Sequence, residues 1–304
     1  MDESGYEVIG AAFNKNDIDE NGIVVTVAEI SKSHERLSHY GNLMALKAML
    51  NNKTFLATRL DSLKLNDAFE AKCLNLEKFT GSFFITCFTH TAYEVVPFWM
   101  NYGGRKKSEK LMFRFVNFAS RFRDLLKTDY CLTSSDEKLF YKIDEWGEAN
   151  NRNGELGKAL GETPINTDFD TRAFVGQVTL CDVEYRQVLD EVFTRDYKTT
   201  EGILPSYSVV NLGRYKTVHW THEKETRIIV NLNPPEQKYY DHICIVLDQS
   251  IFHGLEIVLS PWVTKDVDSQ VREIVNSADI SKEIKESIKV NYSELYGQIR
   301  LGNK

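Results

Sequence analysis

The sequence has few cysteines, and those it has are scattered. Five occur far apart, and none belongs to a C-x-x-C pair. An odd, dispersed set favours neither a zinc ribbon nor a disulfide framework. A reducing compartment suits such cysteine usage best, so the sequence predicts a cytoplasmic protein.

Long apolar runs and a basic leader are also missing. No stretch approaches the roughly 18 apolar residues of a membrane span. The opening residues, MDESGYEVIG, carry acidic groups where a signal peptide begins with positive charge. We therefore expect a soluble protein that does not associate with a membrane.

Common catalytic motifs are lacking too. The chain has no G-x-G-x-x-G, no Walker loop and no G-x-S-x-G, so the usual signals of Rossmann cofactor binding, P-loop chemistry and serine hydrolysis are missing. His219, His222 and Glu223 lie close together but form neither H-E-x-x-H nor H-x-x-E-H. The sequence predicts no metal site.

The overall composition is that of a globular protein. The chain has 304 residues, 42% of them hydrophobic, which suffices for one large core. A net charge of -7 gives no general attraction to nucleic acid.

Strand and helix signals alternate along the chain. Residues 1 to 34 read as an N-terminal extension, and residues 35 to 304 as a single domain with a polar insertion near 134 to 171. The pattern predicts an α+β fold, with helices packed on a mixed sheet. Predicted helices cover about 43 to 50, 97 to 102, 108 to 127 and 266 to 276; predicted strands cover 54 to 58, 83 to 88, 173 to 185, 207 to 212, 219 to 232, 242 to 248 and 254 to 260.

The segment from Lys216 to Val230 carries the densest polar pattern. On a strand, Glu223, Glu225 and Arg227 would share one face, while Trp220, Ile228 and Val230 would share the other. An arginine beside two glutamates would hold them ionised in a cleft. The alternative is an exposed strand with a solvated row of charges.

Further candidates are more ambiguous. His39-Tyr40 ends a strand-like run, where a lone histidine is often structural. Turn capping would explain Asn66, Asp67 and Glu70. An aromatic core would explain Cys87, Phe88 and Thr89 with Trp99 and Tyr102. For Cys87, burial in a hydrophobic strand is a better interpretation than a nucleophilic role.

In order along the chain, these segments resemble the bacterial family known as domain of unknown function 2971 (DUF2971). The matching residues are His39-Tyr40, Asn66-Asp67 with Glu70, Cys87-Phe88-Thr89, Trp99 with Tyr102, Val183 with Tyr185, and Lys216, Trp220, Glu223, Glu225 and Arg227. Three positions depart from the family pattern: Gly41 replaces Thr or Ser, Ala68 replaces Pro, and Thr89 replaces Ser.

A more distant resemblance is to the ADP-ribosyltransferases, which hold NAD in a cleft of a split sheet. It rests on the early histidine, the middle strand and the late Glu-x-Glu. It implies that NAD is a substrate, that Glu225 stabilises the ribosyl cation and that Glu223 orients or deprotonates the acceptor. The implied NAD-binding residues are His39, Tyr40, Asn66, Asp67, Glu70, Thr89, Trp99, Tyr102 and Arg227.

Two other functions are consistent with the residues. One is a non-catalytic sensor of a nucleotide or a partner protein. The other is a nucleic-acid-modifying or nuclease-like effector, whose support is a basic run that could face phosphates; that run comprises Arg105, Lys106, Lys107, Lys110, Arg114, Arg121 and Arg123. The resemblance alone implies a toxin or phage-defence role, in which the protein would modify an acceptor macromolecule. Self-association and binding to a partner protein are both compatible with it.

Overall fold

A computed structural model describes residues 24–27, 34, 36–61, 81, 83–118, 126–133, 138–142, 174–187, 194–199, 202–207, 212–233 and 242–299. Asn66, Asp67, Glu70, Arg121 and Arg123 lie outside these ranges, as does the 134–171 insertion apart from residues 138–142. The described part is an α+β structure with a mixed sheet and few helices.

The elements follow one another in this order. They are β1 (Val24–Val27), β2 (Arg36–Asn42), α1 (Leu43–Asn52), β3 (Thr54–Arg59), β4 (Phe83–Thr89), α2 (Val96–Asn101), β5 (Lys110–Val116), β6 (Leu126–Thr133), β7 (Lys138–Lys142), β8 (Phe174–Asp182), β9 (Glu184–Arg186), β10 (Thr194–Thr199), β11 (Gly202–Tyr207), β12 (Tyr215–Thr217), β13 (Glu225–Asn233), β14 (His242–Leu247), β15 (Glu256–Leu259), α3 (Lys265–Ser277), α4 (Lys282–Ser287) and β16 (Lys289–Tyr292). Short 3-10 helices span Lys107–Glu109, Val218–Glu223 and Gln249–Phe252.

The main sheet divides at β4. One edge of β4 pairs along its length with β13, which continues to β8 and β1. The other edge pairs with two strands: β2 through Ser38 and Thr89, and β3 through Thr58 and Arg59. Beyond β2 the sheet continues through β5, β15 and β16, and beyond β3 through β14, β6 and β7. The sheet is therefore split, with β4 at the fork.

Helix α1 joins the two branches at this fork. The Asn42 side chain caps its first turn by accepting the Ala45 N–H at 3.0 Å, and Lys53 ends the helix in the left-handed region at φ 55°. Leu46, Met49 and Leu50 are buried at helical spacing against the sheet. The connection from β2 to β3 is thereby fixed on one face.

Strand alternation separates two environments on β13. Ile228 and Val230 point into the large core beneath α1 and α3, whereas Ile229 joins a smaller cluster with Ile85 and Cys181. Thus Thr226 lies on the large-core face, while Glu225 and Arg227 lie on the opposite face.

Most predicted elements in the described ranges are present, but the helix predicted over 108 to 127 is wrong from residue 110 to 116; residues 119 to 125 of that prediction lie outside the described residues. Residues 110 to 116 form β5, which pairs with β2 and β15. Its Leu111, Met112, Phe113 and Phe115 are all buried. A strand covered on both faces has a nearly continuous apolar sequence, and such a run also matches helical spacing.

The strand predicted over 219 to 232 begins later than expected. Residues 218 to 223 form a 3-10 helix, and Lys224 then turns the chain at φ 42° before β13 begins at Glu225. Trp220 therefore does not share a strand face with Ile228. It lies instead over the Lys216 ammonium, 4.7 Å from the ring centroid.

The helices in the described part of the chain are short or amphipathic. Helix α3 buries Val267, Val271 and Val275 on one stripe, and Thr264 caps its first turn. None of the described helices is long and apolar enough to cross a membrane.

Packing leaves little room for a side chain at Gly41. A Cβ at Gly41 would lie 2.6 Å from Cε2 of Phe113, so this fully buried ring would have to shift. Replacing Gly41 with threonine should lower the free energy of unfolding by about 1–3 kcal/mol, as overpacking does. Urea unfolding measures this loss, and Met44→Ala on the exposed side of α1 is the control. Equal stability of Gly41→Thr and wild type would contradict the packing argument.

Candidate functional site

A cavity of about 230 Å³ opens at the fork of the sheet. Strands β2, β3 and β4 form its floor and sides, α2 covers one end, and β12 with the following 3-10 helix covers another. The lining residues are Ser38, His39, Tyr40, Leu56, Thr58, Ile85, Thr86, Cys87, Phe88, Thr89, Phe98, Tyr102, Lys216, Glu223, Glu225 and Arg227.

Where the strands diverge, side chains bond to backbone carbonyls that lack a partner on the neighbouring strand. The His39 Nδ1 lies 2.8 Å from the carbonyl oxygen of Cys87, and the Thr86 hydroxyl donates to the carbonyl of Leu56 at 2.9 Å. Buried backbone groups need such partners when a neighbouring strand is absent. The fork is therefore satisfied without closing the sheet.

His39 is held as a neutral ring with one defined tautomer. A carbonyl oxygen can only accept, so Nδ1 must carry the proton in the bond to Cys87. Burial lowers the pKa of His39, and the bond to the Cys87 carbonyl offsets only part of that effect. At neutral pH, Nε2 is consequently an unprotonated acceptor.

Four buried charged side chains of the cavity lining contact one another. Lys216 Nζ lies 2.6 Å from Glu223 Oε2 and 3.3 Å from Glu225 Oε2. Arg227 NH2 lies 2.8 Å from the same Glu225 oxygen. Every member is less than a tenth exposed. We call Lys216, Glu223, Glu225 and Arg227 the charge cluster.

Neighbouring groups fix the two glutamates of the charge cluster. The Thr89 hydroxyl donates to the backbone carbonyl of Glu223 at 2.8 Å, and Tyr102 donates a short hydrogen bond to the Glu223 carboxylate. The backbone N–H of Glu225 donates to the Tyr185 hydroxyl at 2.9 Å. Because Lys224 adopts a left-handed turn, the last residue of the 3-10 helix and the first of β13 both reach Lys216.

Arg227 is anchored from a second direction. Its NH1 donates to the carbonyl of Gly213 at 2.6 Å while NH2 binds Glu225. Charge-assisted bonds of this kind are stronger than neutral ones. The guanidinium therefore holds the Glu225 carboxylate at the cavity wall.

The electrostatics keep Glu225 ionised. Burial alone would raise its pKa, but the charges of Arg227 and Lys216 outweigh burial and lower the pKa to about 2. Burial raises the pKa of the neighbouring Cys87 thiol well above its usual value, and the Glu225 charge adds to this. At neutral pH the cluster holds a fixed carboxylate beside a protonated thiol.

The structure brings together most of the predicted site residues that it describes. Seven line the cavity: His39, Tyr40, Thr89, Tyr102, Glu223, Glu225 and Arg227. Trp99 is outside that lining; it is fully buried and donates through Nε1 to Glu94 at 2.9 Å. Asn66, Asp67 and Glu70 fall outside the described residues.

Two residues that order this site were not among the predicted site residues. Lys216 binds both glutamates, and Tyr185 binds the backbone of one of them. Both belong to the motifs that carry the DUF2971 resemblance, so the ordered motif set was a usable signal. The carbonyl of Gly213, by contrast, has no sequence signal.

Known proteins show only a distant similarity to this chain. No family model and no curated protein matches the chain, so membership of DUF2971 remains a prediction. Among solved structures, the chain is similar to DarT from Thermus sp. 2.9, determined in complex with NAD+, with 9% sequence identity and a TM-score of 0.30. The alignment covers 89% of this chain and 99% of that chain.

The depressed pKa of Glu225 predicts a specific dependence of stability on pH. A carboxylate whose folded pKa lies below its unfolded value stabilises the protein above that unfolded value, and the contribution is lost as pH falls through the folded pKa. For Glu225 the window runs from 4.5 down to about 2. At about 1.4 kcal/mol per pKa unit, the contribution is roughly 3 kcal/mol.

Urea unfolding of wild type and Glu225→Gln across this range tests the prediction. The gap in unfolding free energy should be widest above pH 4.5 and should shrink toward pH 2. Glu283→Gln, at an exposed position of α4, is the control and should show no such trend. A gap that stays constant with pH would show that the Glu225 charge is not what the cluster stabilises.

Proposed function

We propose that this chain is an NAD-consuming enzyme of the ADP-ribosyltransferase type, which transfers ADP-ribose to a macromolecule or hydrolyses NAD. One observation carries the proposal: Glu223 and Glu225 line the same cavity as His39 and Tyr40. Residues far apart in sequence thus offer carboxylates, an imidazole and a phenol to one small ligand. A toxin or phage-defence role in bacteria belongs to the same proposal.

In the proposed reaction, the bond between ribose C1 and the nicotinamide nitrogen breaks. Nicotinamide leaves with the electron pair, and positive charge develops on the ribose. The Glu225 carboxylate stabilises that charge more in the transition state than in the ground state, which is the requirement for catalysis. Because Arg227 and Lys216 keep Glu225 ionised, the negative charge is present before the substrate binds.

Bond formation completes the reaction. An acceptor hydroxyl or water attacks C1, and its proton passes to the Glu223 carboxylate and then to solvent. Lys216 and Tyr102 hold that carboxylate in place. The neutral Nε2 of His39 offers an acceptor for a ribose hydroxyl, since Nδ1 is committed to Cys87.

The size of the cavity limits which part of NAD enters it. About 230 Å³ is below the ~300–1,000 Å³ typical of drug-sized ligands. This volume suits the nicotinamide and its ribose, which contain the bond that breaks. The adenosine half would then lie outside the fork.

A turnover assay tests the proposal. Purified protein is incubated with labelled NAD, with and without cell lysate, and released nicotinamide and labelled macromolecules are measured. Glu225→Gln should reduce the rate at least a hundredfold, as loss of a charge-stabilising group does. Glu256→Gln is the matched control, because Glu256 also pairs with an arginine, Arg114, at 3.2 Å but does not line the cavity.

Turnover by wild type that Glu225→Gln retains would overturn the role of the carboxylate. Tyr102→Phe provides a milder second variant, since it removes only the hydroxyl that donates to Glu223. Circular dichroism establishes that each variant is folded. No nicotinamide release under any condition would overturn the enzymatic proposal itself.

A second candidate is a sensor that binds a nucleotide without consuming it. The supporting observation is that the charge cluster is neutralised: two cations offset its two carboxylates, and Tyr102 adds a further bond. A charge cluster with equal numbers of cations and carboxylates can bind a polar ligand. It lacks the excess negative charge that would stabilise a cationic transition state.

For the sensor, NAD should raise the melting temperature with no loss of NAD over the same incubation. Arg227→Met, which removes one cation from the cavity wall, should reduce that shift, whereas Arg114→Met should leave it unchanged. A melting temperature that does not respond to NAD would rule out NAD as the sensed ligand.

The described residues give little support to a nucleic-acid-modifying or nuclease-like function. Lys110 is buried and donates to the carbonyls of Trp99 and Met100, and Arg114 is paired with Glu256. Both cations are therefore already engaged with groups of the protein itself.

A further inference from the structure

Three potential metal ligands from distant parts of the sequence meet near the end of β4. They are His34, which precedes β2, His90, which follows β4, and Asp182, the last residue of β8. Each offers one ligand atom, and these atoms all lie within 4.8 Å of one another. The DUF2971 and ADP-ribosyltransferase resemblances attach no role to any of the three.

The spacing of the ligand atoms suits a small cation. His34 Nε2 lies 2.7 Å from Asp182 Oδ2, and His90 Nδ1 lies 3.9 Å from Asp182 Oδ1. Two ligands that share a tetrahedral zinc ion, each about 2.1 Å from the metal, are about 3.4 Å apart. The two observed separations, one to each oxygen of Asp182, bracket that value. All three ligand atoms lie within 4.8 Å of one another, so modest side-chain shifts would bring them into coordination.

The two imidazoles are already aligned. Their rings stack with centroids 3.8 Å apart and planes 15° apart. This stacking places one nitrogen of each ring near the Asp182 carboxylate.

Supporting hydrogen bonds orient the carboxylate and one ring. The Thr226 hydroxyl donates to Asp182 Oδ1 at 2.7 Å, and His90 Nδ1 lies 3.1 Å from the same hydroxyl. The backbone N–H of His90 donates to the carbonyl of Lys224 at 3.1 Å. A metal bound to His90 Nδ1 would replace its contact with Thr226, and one bound to His34 Nε2 would replace its contact with Asp182 Oδ2, while Thr226 continues to hold the carboxylate.

We propose that His34, His90 and Asp182 bind a divalent transition-metal ion of the zinc type. Two imidazole nitrogens and one carboxylate oxygen suit zinc and similar ions, whereas magnesium and calcium prefer all-oxygen sets. The His90 and Asp182 side chains are 20% and 29% exposed, so water has access to an open fourth position.

The site lies behind the charge cluster, on the other face of the sheet. Thr226, which supports Asp182, stands between Glu225 and Arg227 on β13. His90 directly follows Thr89, which holds the backbone of Glu223. A bound ion would tie the segment before β2 to the ends of β4 and β8, and would stiffen the two strand ends that carry the cavity wall.

Zinc titration of the full chain tests the site without reference to any activity. Protein stripped of metal with a chelator should bind one equivalent of Zn²⁺ by calorimetry and melt at a higher temperature with it. Asp182→Asn and His90→Asn should each weaken binding at least tenfold. The matched control is the double variant His219→Gln, His222→Gln, which removes two exposed histidines and should bind zinc as wild type does.

Cobalt binding to wild type covers the case in which a variant fails to fold. Co²⁺ should give the visible bands of a four-coordinate nitrogen and oxygen site without a thiolate charge-transfer band. No stoichiometric zinc binding, binding lost only in the histidine double variant, or a thiolate band would each overturn the proposal. None of these readouts involves NAD. A negative result for metal binding would therefore leave the proposed function untouched, and a negative result for NAD turnover would leave the metal site untouched.

Discussion

The charge cluster is the constraint on which the rest of the site depends. Lys216, Glu223, Glu225 and Arg227 are buried together, and a buried ion is costly unless an opposite charge compensates it. Each of the four therefore requires the others. Their contacts tie the middle residue of β12, the end of the 3-10 helix and the first residues of β13 to one another. The cavity wall is a consequence of this balance of charge.

The fork at β4 supplies the space that the charges line. His39 lies on the same side of β2 as the core residue Leu37, while Glu225 lies on the opposite side of β13 from the core. In a continuous sheet the two would be separated by backbone. Because β2 and β3 diverge, both side chains reach one cavity. The split sheet thus places groups from two faces around a single ligand-sized space.

Much of this arrangement could be predicted from sequence, and the failures have physical causes. Helix α1, helix α3 and strands β3, β4 and β14 follow from periodicity and capping residues. Strand β5 did not, because a buried strand and a buried helix have similar apolar patterns. The 3-10 helix over 218 to 223 was missed because its polar residues alternate as on a strand.

The site was predictable where motifs follow one another in order and unpredictable where topology alone brings residues together. Glu225 and Arg227 were found because they are two residues apart on one strand. The meeting of His34, His90 and Asp182 depends on strand order, for which no local spacing gives a signal.

The fork contains a seam between β2 and β4 where few backbone bonds join the strands. The described pairing between β2 and β4 consists of one residue pair, Ser38 with Thr89. Separating the two strands there would break that bridge and the bond from His39 to the Cys87 carbonyl, and would leave the long ladders of β4 with β13 and of β2 with β5 intact. The backbone ladder is therefore shorter at this seam than on the outer edges of β2 and β4, and side chains supply part of the connection between the two branches.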